Sequence, residues 1–243
     1  MSDRGHRGDV YLLLTPANRY ASRLPWLPDA VVYKLVSPRL EPAAFSQQLI
    51  CLDHAPRAPA ALPSDCEQFI YVLSGELQTS LDGARHDLSA GSFEYCPAGG
   101  ELALVDATAA RVIRIHRVWT PLAGGGRPGP TRGHRDDCEP RDTGVAGLVR
   151  LELLPTGDPA FDFTMSIMRF APGAALDQVE IHDEEHGLYM TAGGGLYFLD
   201  GAWHEVVRDD FIYMAPYCPQ SFAATGPEPA EYLLYKDVYR DGF

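Results

Sequence analysis

The chain repeats itself. At an offset of 118 residues, SLDGARHDLSAGSFEY (80–95) lies over FLDGAWHEVVRDDFIY (198–213). Within 81–95 and 199–213, Leu, Asp, Gly, Ala, His, Phe and Tyr coincide at seven of fifteen positions without a gap. The same offset pairs Phe45 with Phe163, Asp65 with Asp183, Glu67 with Glu185, Tyr71 with Tyr189 and Gly75 with Gly193. Two copies of so long a period mean duplicated domains and not a solenoid. Between them TPLAGGGRPGPTRGHRDDCEPRDTG (120–144), rich in Gly, Pro and charge, reads as a linker. The predicted organisation is an N-terminal domain over 1–119, a linker over 120–144 and a C-terminal domain over 145–243.

Each copy carries strand-like runs such as FIYVLSG, GLYFLDG, FEYCPAG and EYLLY, separated by turns such as LDGA, in which Asp-Gly marks a hairpin. The abundance of Gly (23) and Pro (20) beside Tyr (12) and Phe (10) agrees with many short strands, so the fold class is all-β, as twin small barrels. A formal charge of −13 argues against a nucleic-acid partner, which calls for a basic face. Five cysteines without a CxxC pair indicate neither a disulfide framework nor a thiolate zinc site, which suits a reducing cytoplasm. The apolar run VYLLL after MSDRGHRG is too short for a signal segment or a membrane span, so no membrane association is expected.

The densest patch of possible metal ligands is EIHDEEHGLYMTAGG, residues 180–194. A zinc-protease helix needs Glu directly after the first His, and Asp183 stands there. Glu180 and His182, two apart, share a face on a strand but not on a helix. His186, four residues on, would be about 13 Å away along a straight strand, too far to share one ion with His182. The chain must therefore bend near Asp183–Glu185, placing His186 on the next strand. The alternative is a solvated acidic turn with two unrelated histidines.

Two further patterns give the barrels a family likeness. Gly91-x5-Pro97-x-Gly99 matches the second motif of the cupin family, and Gly173 followed by Glu180-x-His182-x3-His186-x6-Gly193 resembles the first, with its acidic ligand and one His exchanged. The resemblance implies a bicupin, two tandem double-stranded β-helix (jelly-roll) barrels. It places the fourth ligand on Gln220 in the second copy and on Leu102 in the first. The other three positions of the first copy are Leu62, Ser64 and Gln68, so that barrel is expected to lack a metal site. Glu180, His182, His186 and Gln220 can all ligate, and two imidazoles with two oxygen donors and no thiolate suit Mn²⁺ first, with Fe²⁺ and Zn²⁺ as other possible divalent ions.

Glu-x-His-x3-His with a later Gln, together with LLLTPANRY, HGLYMTAGGGLYFLDG, YMAPYCPQSF and YLLYKDVYRD, resembles the (S)-ureidoglycine aminohydrolase family. That resemblance implies hydrolytic deamination of ureidoglycine to ureidoglycolate in purine and allantoin degradation, with Mn²⁺ on the four ligands named. It also implies Tyr197 and Lys236 as substrate-binding and catalytic residues beside Glu180, Tyr232 as a further substrate contact, a small anionic ureido substrate and a homo-oligomer. The residues alone leave Tyr197 open as a core aromatic and Lys236 as a surface charge. The alternative readings are a Mn/Fe bicupin decarboxylase or dioxygenase of a small carboxylic acid, or a non-catalytic cupin.

Overall fold

Aromatic and aliphatic runs broken by Asp-Gly and Pro-Gly signals yield strands. In the computed structural model, which describes residues 4–62, 66–121 and 126–238, the helical elements are two 3-10 turns of three residues, Pro16–Asn18 and Arg135–Asp137. No helix among the described residues is long and apolar enough to cross a membrane. The chain divides into two compact units, one formed by residues 1–19 with 138–243 and the other by residues 20–137.

The repeat is visible strand by strand. Phe45–Leu52 corresponds to Phe163–Phe170 and Ala84–Ser89 to Ala202–Val207, each pair in register at 118. The Asp-Gly hairpins form as expected, with positive φ at Asp82 and Gly83 and again at Asp200 and Gly201, the backbone that a two-residue hairpin of the primed type requires.

In the unit holding the C-terminal copy, an eight-stranded antiparallel sheet has at its centre, in spatial order, Phe211–Met214, His186–Ala192, Ala230–Asp237, Phe163–Phe170 and Leu148–Glu152. A three-stranded sheet, Ala202–Val207, Gly194–Leu199 and Gln220–Ala224, makes the other wall. The chain passes from the first sheet to the second at Gly193, returns for Phe211–Met214, crosses again for Gln220–Ala224 and ends back in the first sheet at Ala230–Asp237, which closes a jelly-roll barrel. Its interior is apolar: Leu188, Met190, Leu199, Val206, Ile212 and Phe222 are all fully buried and belong to one cluster. The N-terminal copy builds a nine-stranded sheet around Leu27, Val32, Ile50, Val72 and Val112. There Glu67–Leu81 and Leu102–Arg117 run as single long strands with register shifts between them, where the C-terminal copy breaks each into two.

The expected domain boundaries differ from the structure at both ends of the first copy. Tyr11–Leu14, assigned to the N-terminal domain, pairs with Phe211–Met214 and belongs to the C-terminal unit, with Leu13 fully buried there. The expected linker is partly strand: Thr131–His134 pairs with Ser92–Cys96, and Arg141–Asp142 with Leu148–Glu152. Residues 122–125 of that linker lie outside the described residues. Local composition misleads in this segment because the free N–H and C=O groups of a sheet edge accept any extended backbone, and TRGH pairs through its main chain. Each exchanged strand runs into one of the two 3-10 turns, so the duplicated unit begins with a strand and turn that linear reading cut off.

Gly193 is the hinge of the C-terminal barrel. Its φ is +60°, and a Cβ there would meet Pro229 O at 2.4 Å and Ala230 Cα at 2.9 Å, both backbone. Left-handed backbone and overpacking each cost about 1–3 kcal/mol. Gly193→Ala is therefore expected to lower unfolding stability by about 2–4 kcal/mol, checked by urea denaturation, whereas Gly201→Ala, which meets nothing within 4 Å, should show the backbone part alone.

Candidate metal and substrate site

The pleat of the eight-stranded sheet decides which side chains enter the barrel. Antiparallel register sets Thr164, Lys236 and His186 side by side in one row across three strands. Two residues along, Glu152, Ser166 and Leu234 form a second row, and Arg150, Met168 and Tyr232 a third. Side chains two apart on a strand share a face, so these rows line one interior surface. The three-stranded sheet contributes Tyr197 and Gln220 from the opposite wall.

The acidic segment closes the ring. Glu180 forms an isolated bridge with Gln220, in which Glu180 N–H donates to Gln220 O at 2.7 Å and Gln220 N–H to Glu180 O at 2.9 Å. Tyr217 N–H donates to His182 O at 2.7 Å, and the chain bends at Asp183 and Glu184 before His186 opens the next strand. The expected bend is present, but Glu180 is held by an isolated bridge and His182 by one backbone hydrogen bond, neither within a regular strand. Val179 and Ile181 point outward, half to two-thirds exposed, while Glu180 and His182 point in.

All seven residues expected at the site, Glu180, His182, His186, Gln220, Tyr197, Tyr232 and Lys236, line a single cavity of about 240 Å³. Arg150, Thr156, Thr164 and Ser166 line it too. These four escaped the sequence reading. LVRLE and FTMSIMRF alternate too weakly to reveal the inner face that carries Arg150, Thr164 and Ser166, and the register opposite Lys236 and Tyr232 is the signal that finds them; Thr156 lies between these strands, where no periodicity marks it.

Glu180 Oε2 and His182 Nε2 are 3.3 Å apart, and the rings of His182 and His186 are 5.0 Å apart between centroids. Two donors bound to one ion at about 2.1 Å are separated by about 3.0–3.4 Å at right-angled to tetrahedral geometry, so the first pair already has a ligand spacing. Among the described residues, no three His, Cys, Asp or Glu side chains close on one point as a complete cage. Here Glu180 instead accepts a hydrogen bond from His182, and the fourth donor of the set, Gln220, is an amide. The donor chemistry fits a divalent ion. Burial first, and then the neighbouring charges of Lys236 and His182, hold His186 well below the usual imidazole range, so its ring is neutral with a lone pair available for a metal.

Tyr197 Oη donates to Gln220 Oε1 at 3.2 Å, and the buried rings of Tyr197 and Tyr232 lie 6.4 Å apart between centroids. Desolvation raises Tyr197 well above its ordinary value, with Tyr232 and the Glu180 carboxylate adding to the shift. Tyr232 is raised by burial and then by Glu180. Both stay protonated, which suits them to donate hydrogen bonds and not to remove protons. Lys236 Nζ stands 3.5 Å from Glu184 at the cavity margin.

The other barrel has a different centre. Leu62 and Leu102 are buried in its apolar cluster, and Ser64 lies outside the described residues. At the place of His186, Gln68 is fully buried and accepts from Arg114 Nε at 3.0 Å and Nη2 at 2.7 Å. Arg114, aligned with Tyr232, also donates to Gln48 and lies over the Trp26 ring. A guanidinium fills the interior where the other copy keeps a cavity.

A cupin domain model matches residues 166–235, which span most of the cavity-lining strands. A protein of Oryza sativa subsp. japonica named probable (S)-ureidoglycine aminohydrolase is 34% identical over 95% of this chain and 74% of its own length. The (S)-ureidoglycine aminohydrolase of Escherichia coli strain K12 is 31% identical over 95% of this chain and 89% of its own. The chain belongs to the (S)-ureidoglycine aminohydrolase family. A crystal structure of the E. coli protein Ylba superposes with a TM-score of 0.86 at 28% identity, covering 100% of this chain and 97% of that one. The two jelly-roll barrels of this family member thus form a bicupin.

Removing the phenol that holds Gln220 tests the arrangement without reference to catalysis. Tyr197→Phe should cost about 1–3 kcal/mol of unfolding stability, because a buried amide oxygen loses its donor. Tyr20→Phe, at a residue 85% exposed, should change stability by less than about 0.5 kcal/mol, both read by chemical denaturation.

Proposed function

We propose that the chain catalyses hydrolytic deamination of (S)-ureidoglycine, releasing ammonia and forming ureidoglycolate. The observation that carries this reading is the placement of Lys236 in the same cavity as Glu180, His182, His186 and Gln220, in a family whose characterised names state that activity. The residues that would hold a divalent ion are those four, and their mixed nitrogen and oxygen donors without thiolate suit Mn²⁺. Such an ion supplies positive charge to an anionic substrate in an otherwise acidic protein.

The chain's own groups do the rest. Lys236 takes the substrate carboxylate, exchanging its partly exposed contact with Glu184, which costs little at a wet margin. Fixing the carboxylate orients the carbon that bears both the amine and the ureido nitrogen. The amine enters as an ammonium, so its C–N bond breaks with the electron pair leaving on ammonia while the ureido nitrogen lone pair forms the transient C=N bond. Water adds to that carbon. Glu180, whose carboxylate faces the cavity, takes the proton the water loses and passes it to the departing ammonia. Tyr197 and Tyr232 remain neutral phenols that wall the cavity, and Tyr197 fixes Gln220. The cysteine pattern suits a reducing compartment such as the cytoplasm, and exposed sheet edges suit homo-oligomer assembly.

Two variants test this. Lys236→Met is expected to lower ammonia release from ureidoglycine by about 100-fold, the scale of a lost charge-assisted contact at the reacting molecule, with metal content unchanged. Gln220→Leu, which copies Leu102 of the other barrel, is expected to lose metal as well as activity. Metal analysis and an ammonia assay on both proteins check the pair. Normal turnover by Lys236→Met removes Lys236 from the site, and full Mn²⁺ retention by Gln220→Leu removes Gln220 from the ligand set.

A further inference from the structure

Two cationic side chains border the cavity, and the proposed reaction uses one. Lys236 stands in the row with Thr164 and His186, whereas Arg150 stands in the row with Met168 and Tyr232, four residues back along Ala230–Asp237 and two strands across. Four strand residues span about 13 Å and two inter-strand steps about 10 Å, which puts the two Cα atoms about 16 Å apart. Both side chains line the one cavity of about 240 Å³, and a short molecule with a polar group at each end can address both.

Arg150 is anchored on one side and open on another. Its Nη2 donates to Glu152 Oε1 at 2.9 Å, and Glu152 also receives Arg141 Nε at 3.0 Å. Its Nε is covered by protein, while its Nη1 has no hydrogen-bond partner among the described residues and the side chain lines the cavity. Thr156, also in the lining, commits its hydroxyl proton to Glu152, so its oxygen is left as an acceptor.

We propose that Arg150 is a specificity-determining residue that reads the ureido end of the substrate. Its Nη1–H donates to the ureido carbonyl, the Thr156 oxygen accepts from the terminal amide N–H, and Lys236 holds the carboxylate at the far end. The inference rests on the ureidoglycine reading for the identity of that group; its chemistry selects carbamoyl-amino acids over simple carboxylic acids. A molecule with the carboxylate alone leaves the Arg150 Nη1–H without that acceptor, and a site built to hydrogen-bond a group rejects analogues lacking it.

Ureidoacetate has the carboxylate and ureido group without the leaving amine and serves as a stable probe; glycolate presents the carboxylate end alone. Calorimetry on the metal-loaded protein should give ureidoacetate at least about tenfold tighter binding than glycolate. In Arg150→Met the two should fall within about threefold, through loss of ureidoacetate affinity with glycolate binding retained. With ureidoglycine, KM should rise by about tenfold or more and exceed any fall in kcat, the signature of lost ground-state binding. Arg150→Lys keeps the charge but not the planar fork and should recover less than half of the preference; it carries the comparison if the Met variant does not fold. A retained tenfold preference in either variant overturns the proposal, as does an equal loss of both ligands, which marks Arg150 as structural. Failure of the wild type to release ammonia from ureidoglycine overturns the functional reading, while the calorimetric comparison still decides Arg150.

Discussion

Two backbone hydrogen bonds hold the site together. Glu180 and Gln220 exchange N–H···O contacts of 2.7 and 2.9 Å, and through them a loop without regular structure is fastened to a strand of the smaller sheet. Both side chains are thereby aimed into the barrel from adjoining backbones. Without this bridge Glu180 and His182 would belong to an acidic surface loop, half of whose neighbours, Val179 and Ile181, already face solvent. The bridge depends in turn on the strand Gln220–Ala224 lying against Gly194–Leu199, and that pairing depends on the turn at Gly193. A local backbone constraint with no chemistry of its own positions most of the polar groups.

Electrostatics in the cavity follow from what the barrel buries. Desolvation is the largest influence on His186, Tyr197 and Tyr232, and in each case it favours the neutral form. The site therefore holds neutral donors and ligands around the Glu180 carboxylate and the two marginal cations. The other barrel reached a different outcome from the same ancestral layout: Arg114, held by two glutamine side chains, occupies the interior. A fixed guanidinium and a metal ion are two ways of placing positive charge in a barrel, and a guanidinium leaves no open coordination position for substrate.

The strand exchange carries a cost in legibility. The N-terminal strand Tyr11–Leu14 and the strand Thr131–His134 each complete a sheet beside a strand of the repeat. Leu13 shows its destination only through full burial in the C-terminal cluster. TRGH carries no apolar signal at all. Edge pairing is satisfied by main-chain groups, which every residue but proline supplies alike, so the sequence holds little record of which edge a strand joins.

The sequence by itself determined the β class, the duplication, the Asp-Gly hairpins and the cluster of Glu180, His182 and His186, because each rests on a local pattern or on comparison of the chain with itself at a fixed offset, whereas Gln220, Tyr197, Tyr232 and Lys236 were legible only through the family resemblance. Copying the ligand positions from one repeat to the other also identified the first barrel as different. The tertiary structure alone decided the boundaries of the two units, the presence of Arg150, Thr156, Thr164 and Ser166 in the cavity, and the neutral state of its tyrosines. Those features arise from cross-strand register and burial between segments up to some 200 residues apart, as where Leu13 meets Ile212, and neither period nor composition encodes which strand lies beside which.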